Sequence, residues 1–560
     1  MRMSRHPAAS LLGAAVLTLL AAGWFVADSA ADEWINMRLN QDETSELQNE
    51  EQIAINPTDP DNRVAVWRDF RLGYRQVGWA YTFDGGRTWT EGGLFEEPHY
   101  PWQSDPGVTA DADGNFYAIV LSYVSTSQEN GFYVFKSTDG GVSWGPPLEV
   151  IDQYPDVFED KELIACDRTD CLHAGNLYVA WTRFGWTTTI ELRRSTDSGE
   201  SWDETVRVSD QSGVQFPIPV VGRDGQVYVA WTSYSYSDIR IDRSDDGGET
   251  FGSDRAVVDV YTPSTVLDGG VDAYSSPHMD ADITDGPYSG RLYLSFMDRR
   301  AGLPDRDIWV TWSDDQGVSW SEPVRINDDA PGNHRDQFHP WLAVDNQGVV
   351  SVVFLDRRHD PQNLTYHCVL TQSFDGGATW TPNVQVSTAP SDPSYAAAGA
   401  GPPQTAPQIS RAGSPPHATP QISLSRAGLL GEYIGLTGWN GRVTPVWTDI
   451  RNFHQDVYAG YFESFSGVAP AEGTHAMGAL RIVPNPLRAG QPWRILCGQR
   501  SVAEGAGGVL DAIEGARTQL RWQDAAGRRC ASGGRLTSGV YFLELKRGVA
   551  RSSMRLVVLE

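Results

Sequence analysis

The sequence predicts an all-β chain built from radially repeated four-stranded units, and three observations carry that expectation. An eight-residue turn recurs six times, as TFDGGRTW from Thr82, STDGGVSW from Ser137, STDSGESW from Ser195, SDDGGETF from Ser244, SDDQGVSW from Ser313 and SFDGGATW from Ser373. Its starts lie 55, 58, 49, 69 and 60 residues apart, the period of a stacked supersecondary module. Seven segments, RVAVWRDFR, NFYAIVLSY, NLYVAWTRF, QVYVAWTSY, RLYLSFMDRR, VVSVVFLDRR and VTPVWTDIRN, read as strands that end in a polar corner. No segment carries long apolar periodicity of 3.6 residues, while Gly, Pro and 20 Trp punctuate the chain.

The elements follow in order. Residues 1–31 hold Arg2 and Arg5, an apolar run from Ala8 to Val26 and small residues to Ala31, the pattern of a secretory signal peptide. The expectation is a secreted or cell-surface protein with no transmembrane segment after cleavage. From residue 32 to 465 each unit reads strand, tight turn, strand, corner, strand, Asp turn, strand, which is one propeller blade. The seventh unit, Leu430 to Glu463, supplies three strands only. INMRLNQDE precedes the first blade yet matches PVRINDDAP and TVRVSDQSG, which end later blades. The prediction is a seven-bladed β-propeller whose N-terminal strand completes the last sheet and removes two exposed edges. Residues 388–428, rich in Pro, Ala, Gly and Ser, read as a flexible insertion between blades six and seven. Residues 470–560 alternate apolar and polar positions in short runs and read as a small C-terminal β-sandwich.

Composition excludes one class of function. A formal net charge of -28 argues against nucleic-acid binding, which depends on Lys and Arg neutralising phosphates. Five cysteines suit an oxidising compartment. Cys166 and Cys171, flanking four residues in ACDRTDC, are expected to form a local disulfide, since no His or Cys pair at zinc spacing stands nearby. Cys497 and Cys530 are candidates for a second bridge, and Cys368 reads as a buried thiol. Asp111, Asp113 and Asn115 in DADGN have only the first ligands of a calcium loop and sit at a hairpin, so a turn is expected there. No cofactor and no metal site is predicted.

The repeated turn resembles the Asp box, S-x-D-x-G-x-x-W, of sialidases and related propellers, with Phe251 replacing the final Trp in the fourth copy. Over residues 33–463 the chain is similar to the sialidase superfamily, and the resemblance implies a propeller fold with an exo-glycosidase as one possible activity. The superfamily's F/Y-R-I-P signature has no counterpart, because the nearest string, FPIPV, carries Pro217 in place of Arg. Residues 470–560 resemble the FlgD-like immunoglobulin fold and the C-terminal sorting domains of exported bacterial proteins, through Pro484-Asn485-Pro486, Asp524 to Gly527 and Gly539-Val540-Tyr541. That likeness implies anchoring through the export or surface machinery. The carboxylates of Asp84, Asp139, Asp197, Asp246, Asp315 and Asp375 read as fasteners that accept N–H bonds across their own turns.

The opposite face offers the candidate site. Four second strands end in aromatic-x-Asp-x-Arg: Trp67-Asp69-Arg71, Phe296-Asp298-Arg300, Phe354-Asp356-Arg358 and Trp447-Asp449-Arg451. Residues two apart in an extended chain point to one side, so the Asp and Arg of each corner should face the same way and form an arc. The blades concerned are contiguous in the closed ring. Arg299, Arg357, His359, His454, Asp336, His339, Trp341 and Glu432 adjoin them. One reading is a structural belt of Asp to Arg pairs joining neighbouring blades. The other is a pocket for an anionic or polyhydroxyl ligand, with Arg gripping carboxylates and Trp341 or Trp102 stacking on a sugar face. As an enzyme of sialidase type, the chain would use Arg299, Arg357 and Arg451 as a carboxylate clamp and Asp356 as an acid. Three functions therefore stand: a module binding extracellular glycans or anionic ligands, an exo-glycosidase, and a structural adhesion protein.

Overall fold

The computed structural model describes residues 33–463, apart from short stretches near 125–128, 153–156, 262–263 and 301–303 and the longer 395–429, together with the backbone of the strands between Leu480 and Leu559. The signal segment and most of the insertion lie outside these residues. So do the side chains of Cys497 and Cys530.

Residues 33–463 form seven four-stranded antiparallel sheets. Six are continuous in sequence. The seventh takes Gly435–Trp439, Arg442–Asp449 and Asp456–Glu463 from the end of the ring and Glu33–Arg38 from its beginning. The closing register runs from Glu33 opposite Glu463 to Arg38 opposite Tyr458. Asn36 locks it sideways by donating from Nδ2 to Val386 O at 2.9 Å, in the neighbouring blade. The circle is thus shut by backbone pairing between the two ends of the propeller, which covers the edge that Asp456–Glu463 would otherwise expose.

Each second strand is buried along nearly its whole length because both its faces are covered by adjacent blades, which erases the alternation of a half-exposed strand. Trp67, Trp181, Trp231 and Trp447 occupy one equivalent position and are fully buried, with Phe296 and Phe354 taking their place in blades five and six. Between Ser244 and Ser313, where the turn spacing is longest, an unforeseen hairpin pairs Ser264–Leu267 with Val271–Tyr274 ahead of blade five. The first residues of the expected insertion are also placed: Tyr366 and Ser391 exchange backbone bonds of 2.9 Å, and Ile450 N donates to Ser391 Oγ. Toward the C-terminus the strands form a three-stranded and a five-stranded sheet.

Cys166 and Cys171 are free thiols, contrary to the expected bridge. Cys166 is buried at the end of its strand, whereas Cys171 Sγ turns to blade four and lies 3.7 Å from Arg223 O. Short spacing along the chain did not bring the two sulfurs together.

Candidate functional site

The six Asp turns link the third and fourth strands and therefore occupy the end of the blades opposite the corners that follow the second strands. All six close the same hydrogen-bond loop. In SFDGGATW the Asp375 carboxylate accepts from Ser373 Oγ at 2.9 Å, from Thr379 N at 2.8 Å and from Thr379 Oγ1 at 2.6 Å, while Ser373 Oγ accepts from Gly377 N at 2.8 Å. Asp84, Asp139, Asp197, Asp246 and Asp315 repeat the pattern with Thr88, Ser143, Ser201, Thr250 and Ser319. The hydroxyl residue four after each Asp is thus part of the device, a regularity the written motif omits. Burial opposes ionisation of Asp246, but the bonds from Thr250 and Ser244 bring its pKa down to about 2. The glycine carbonyls of three of these turns also accept from the preceding blade: Gly141 from Trp79 Nε1 at 3.0 Å, Gly247 from Arg194 at 3.1 Å and Gly376 from Arg291 at 2.6 Å. Asp111 is likewise saturated by Asp113 N, Asn115 N and Nδ2, and Tyr117 OH.

The aromatic-x-Asp-x-Arg corners form a second set of latches. Asp69 is fully buried and accepts from Trp67 Nε1 at 2.9 Å and Arg71 Nη2 at 2.6 Å, and Arg71 goes on to Glu91 in its own blade's fourth strand. Asp449 is bound in the same way by Trp447 and Arg451, and Arg451 Nη2 donates at 2.7 Å to Asn36 in the closing strand. Arg358 holds Asp356 at 2.7 Å and donates to Asn383, beside the fourth strand of blade six. In blade five Arg300 lies 3.8 Å from Asp298 and over the rings of Phe296 and Trp309. Asp and Arg do share a side, but it is the side of the outer strand. Asp69, Arg71, Asp298, Arg300, Asp356, Arg358, Asp449 and Arg451 are therefore placed as latches, each Asp beside its own corner's Arg rather than a neighbouring blade's, with Asp298, Arg358 and Arg451 also bonded to Tyr261, Asp328 and Thr388 at the ends of the preceding blades.

The proposed arginine clamp is not assembled. Arg299 is exposed, Arg451 is spent on Asp449, and Arg357 is fully buried, with its guanidinium 4.9 Å from the Phe338 ring centroid and Nη1 donating to Asn363 O at 2.8 Å. Burial raises the pKa of Asp356, and Arg358 works against that rise.

The first strands line the axis, and they carry a feature that no repeat motif announced. Those of blades one, two, three, four and six, Gln48–Ile55, Trp102–Ala110, Phe158–Cys166, Val214–Val221 and Gln337–Val344, are each bulged at the same place near the corner end. The first bulged residue has positive φ in every case: Glu50 at 59°, Asp105 at 48°, Lys161 at 59°, Phe216 at 61° and His339 at 46°. None is Gly, and a non-Gly residue held there stores on the order of 1 kcal/mol or more of strain, of a kind that clusters at functional sites. An extra residue re-aims its side chain. The aligned pairs Glu50-Glu51, Asp105-Pro106, Lys161-Glu162, Phe216-Pro217 and His339-Pro340 were visible in the sequence, but one-residue insertions leave the strand pattern intact on either side.

Three of these side chains meet. Lys161 Nζ lies 2.7 Å from Asp105 Oδ2 and also contacts Glu432, at the start of blade seven. Arg68 Nη1 pairs with Glu50 at 2.8 Å. Gly431 at φ 92° lets the chain pass so close that a Cβ there would stand 2.9 Å from Glu50 N. Burial pushes the pKa of Glu50 and Glu51 up to about 8, with the Arg68 charge opposing, and that of Asp160 up to about 7. Burial acts on Asp105 in the same sense, yet Lys161 and then Arg68 hold it well below the usual carboxylate range.

Aromatic side chains complete the mouth. Phe216 packs on Tyr274, with centroids 4.9 Å apart; half-buried Trp341 packs on His278 at 4.5 Å and on Tyr433 at 6.2 Å; and Tyr433 OH reaches across to Pro106 O at 3.3 Å. Half-buried Trp102 stands with Tyr74 on the rim of blades one and two. His339, buried, lies 3.3 Å from Asp272 O, and burial lowers its pKa to about 4 and that of His278 to about 3. Glu432, His339 and Trp341 are thus the sequence candidates that border this mouth; Glu50, Asp105 and Lys161 were missed.

No protein-family model and no curated protein matches the sequence. Solved structures do show a likeness. A protein of unknown function from Dyadobacter fermentans is 16% identical, with 60% of this chain and 96% of that one covered and a TM-score of 0.40. The Hadza microbial sialidase Hz136 is 14% identical, with 70% and 73% covered and a TM-score of 0.39. The GH93 α-L-arabinofuranosidase of Fusarium graminearum is 12% identical, with 57% and 92% covered and a TM-score of 0.41.

Proposed function

We propose that this is an exported propeller that binds extracellular glycans at the corner end of its axis, held at the cell surface through residues 470–560. The observation that carries the reading is the set of five positive-φ bulges, which turn Glu50, Asp105 and Lys161 to a common centre beside half-buried Trp and Tyr rings. Charged groups ordered by mutual pairing offer hydrogen bonds to ligand hydroxyls, and the rings offer flat apolar faces, the combination that a polyhydroxyl ring requires. Of the arginines that would grip a sialic carboxylate, Arg451 is held by Asp449, Arg357 is fully buried with Nη1 on Asn363 O, and Arg299 is exposed. Binding without turnover is therefore favoured over sialidase chemistry.

A glycan array probed with the exported chain tests this. Saturable binding is expected, and it should weaken roughly 30-fold or more in Trp341→Ala if that ring is a hot-spot contact. An array with no binder would contradict the reading, and sugar release from a bound glycan would replace it with an exo-glycosidase.

A further inference from the structure

We propose that the carboxylates of Glu50, Asp105 and Glu432 form a site for one Ca2+ ion at the centre of the pore mouth. One oxygen from each lies within 4.8 Å of the others. Calcium takes oxygen ligands at about 2.4 Å, so two ligands on opposite sides of one ion stand about 4.8 Å apart. The three groups come from blades one, two and seven, so the ion would tie the first two blades to the one that closes the ring.

Two further observations point to a ligand. Glu50 is 1% exposed and spends one carboxylate oxygen on Arg68, while the other, Oε2, has no hydrogen-bond donor. Glu162, beside Lys161 in the next bulge but one and also 1% exposed, has neither oxygen hydrogen-bonded. A proton on such an oxygen would need an acceptor, and a bare charge would need a cation.

The donor set selects the ion. It is all oxygen, which disfavours zinc, and it is irregular, which suits the flexible coordination of calcium better than the octahedral demand of magnesium. Lys161 already fills part of the cage as a tethered cation between Asp105 and Glu432, and its four-carbon stem allows it to withdraw. Lysine and calcium therefore compete for the same carboxylates. This inference goes beyond the glycan reading and does not depend on it, since ion content is measured without any sugar.

The test uses the full chain, stripped with a chelator and dialysed against Ca2+, with bound metal and thermal unfolding measured together. One Ca2+ per chain is expected, with the unfolding constant lowered about a hundredfold at a free concentration a hundred times the dissociation constant. Glu50→Gln and Asp105→Asn should each weaken binding at least tenfold, whereas Asp285→Asn, at an exposed carboxylate, should leave it unchanged. Lys161→Met should bind more tightly than the natural chain, a gain that misfolding cannot produce. Substoichiometric metal with an unmoved unfolding midpoint would overturn the proposal. So would equal affinity in Lys161→Met, or binding by that variant alone.

Discussion

The two ends of the propeller are both rich in aspartate, yet they use it in opposite ways. At the Asp-turn end one arrangement is repeated six times, and both oxygens of every carboxylate accept bonds inside the turn. At the corner end the first bulged residues are Glu, Asp, Lys, Phe and His, no two alike, and among their neighbours some buried oxygens are left without donors. Repetition with saturated bonding marks fasteners, because each blade needs the same joint. Departure from the repeat, combined with strain and unsatisfied polar atoms, is what a binding site at that end, as we propose, would show.

That contrast can be broken by mutation. The largest effect should come from neither end. Deleting Glu33–Arg38 removes the closing ladder and bares the edge of Asp456–Glu463, so loss of the single cooperative unfolding transition is expected in calorimetry. Trp447→Ala, which empties a fully buried position, should cost about 3–5 kcal/mol in denaturant unfolding.

Acid should act next, first through the histidines of the corner end. His278 and His339 are buried neutral, with pKa values lowered to about 3 and about 4. Between pH 6.5 and about 4 the unfolded chain takes up protons at these rings and the folded chain does not, so the histidines' contribution to stability falls as pH falls through that window, while Glu50 and Glu51 contribute in the opposite sense. His339 alone should account for up to about 3 kcal/mol. His339→Asn, a residue that tolerates positive φ, should flatten the slope of stability against pH; an unchanged slope would show that the ring is protonated in the fold.

The smallest effect belongs to a single Asp turn. Asp315→Ala removes bonds from Ser313 and Ser319 and should cost about 1–2 kcal/mol, with ligand affinity unmoved.

Much of this fold could be read from residues alone, for reasons that also explain what could not. The second strands and the turn repeat are multiplied over the ring, and the match of INMRLNQDE to strand ends downstream disclosed the closure. The hairpin at Ser264–Tyr274 showed itself only as a long interval between Ser244 and Ser313. That Asp69 and Arg71 share a side followed from extended geometry, but their pairing with each other, where a partner in the next blade was expected, did not, and alternation does not say which side is shared. That side was the outer strand, where Glu91 waits. Lys161 went unnoticed because a bulge adds one residue to a strand and leaves no compositional trace. Cys166 and Cys171 were joined on chain spacing, while their side chains point into different neighbourhoods.

The account rests on the corner end being the binding site and the Asp turns being joints. The most direct test is a paired measurement of unfolding free energy and ligand affinity in Lys161→Met and Asp315→Asn. The first is expected to change affinity for the array-selected glycan, and the second to change stability alone. A shift in affinity for Asp315→Asn at unchanged stability, with Lys161→Met binding as the natural chain does, would contradict it.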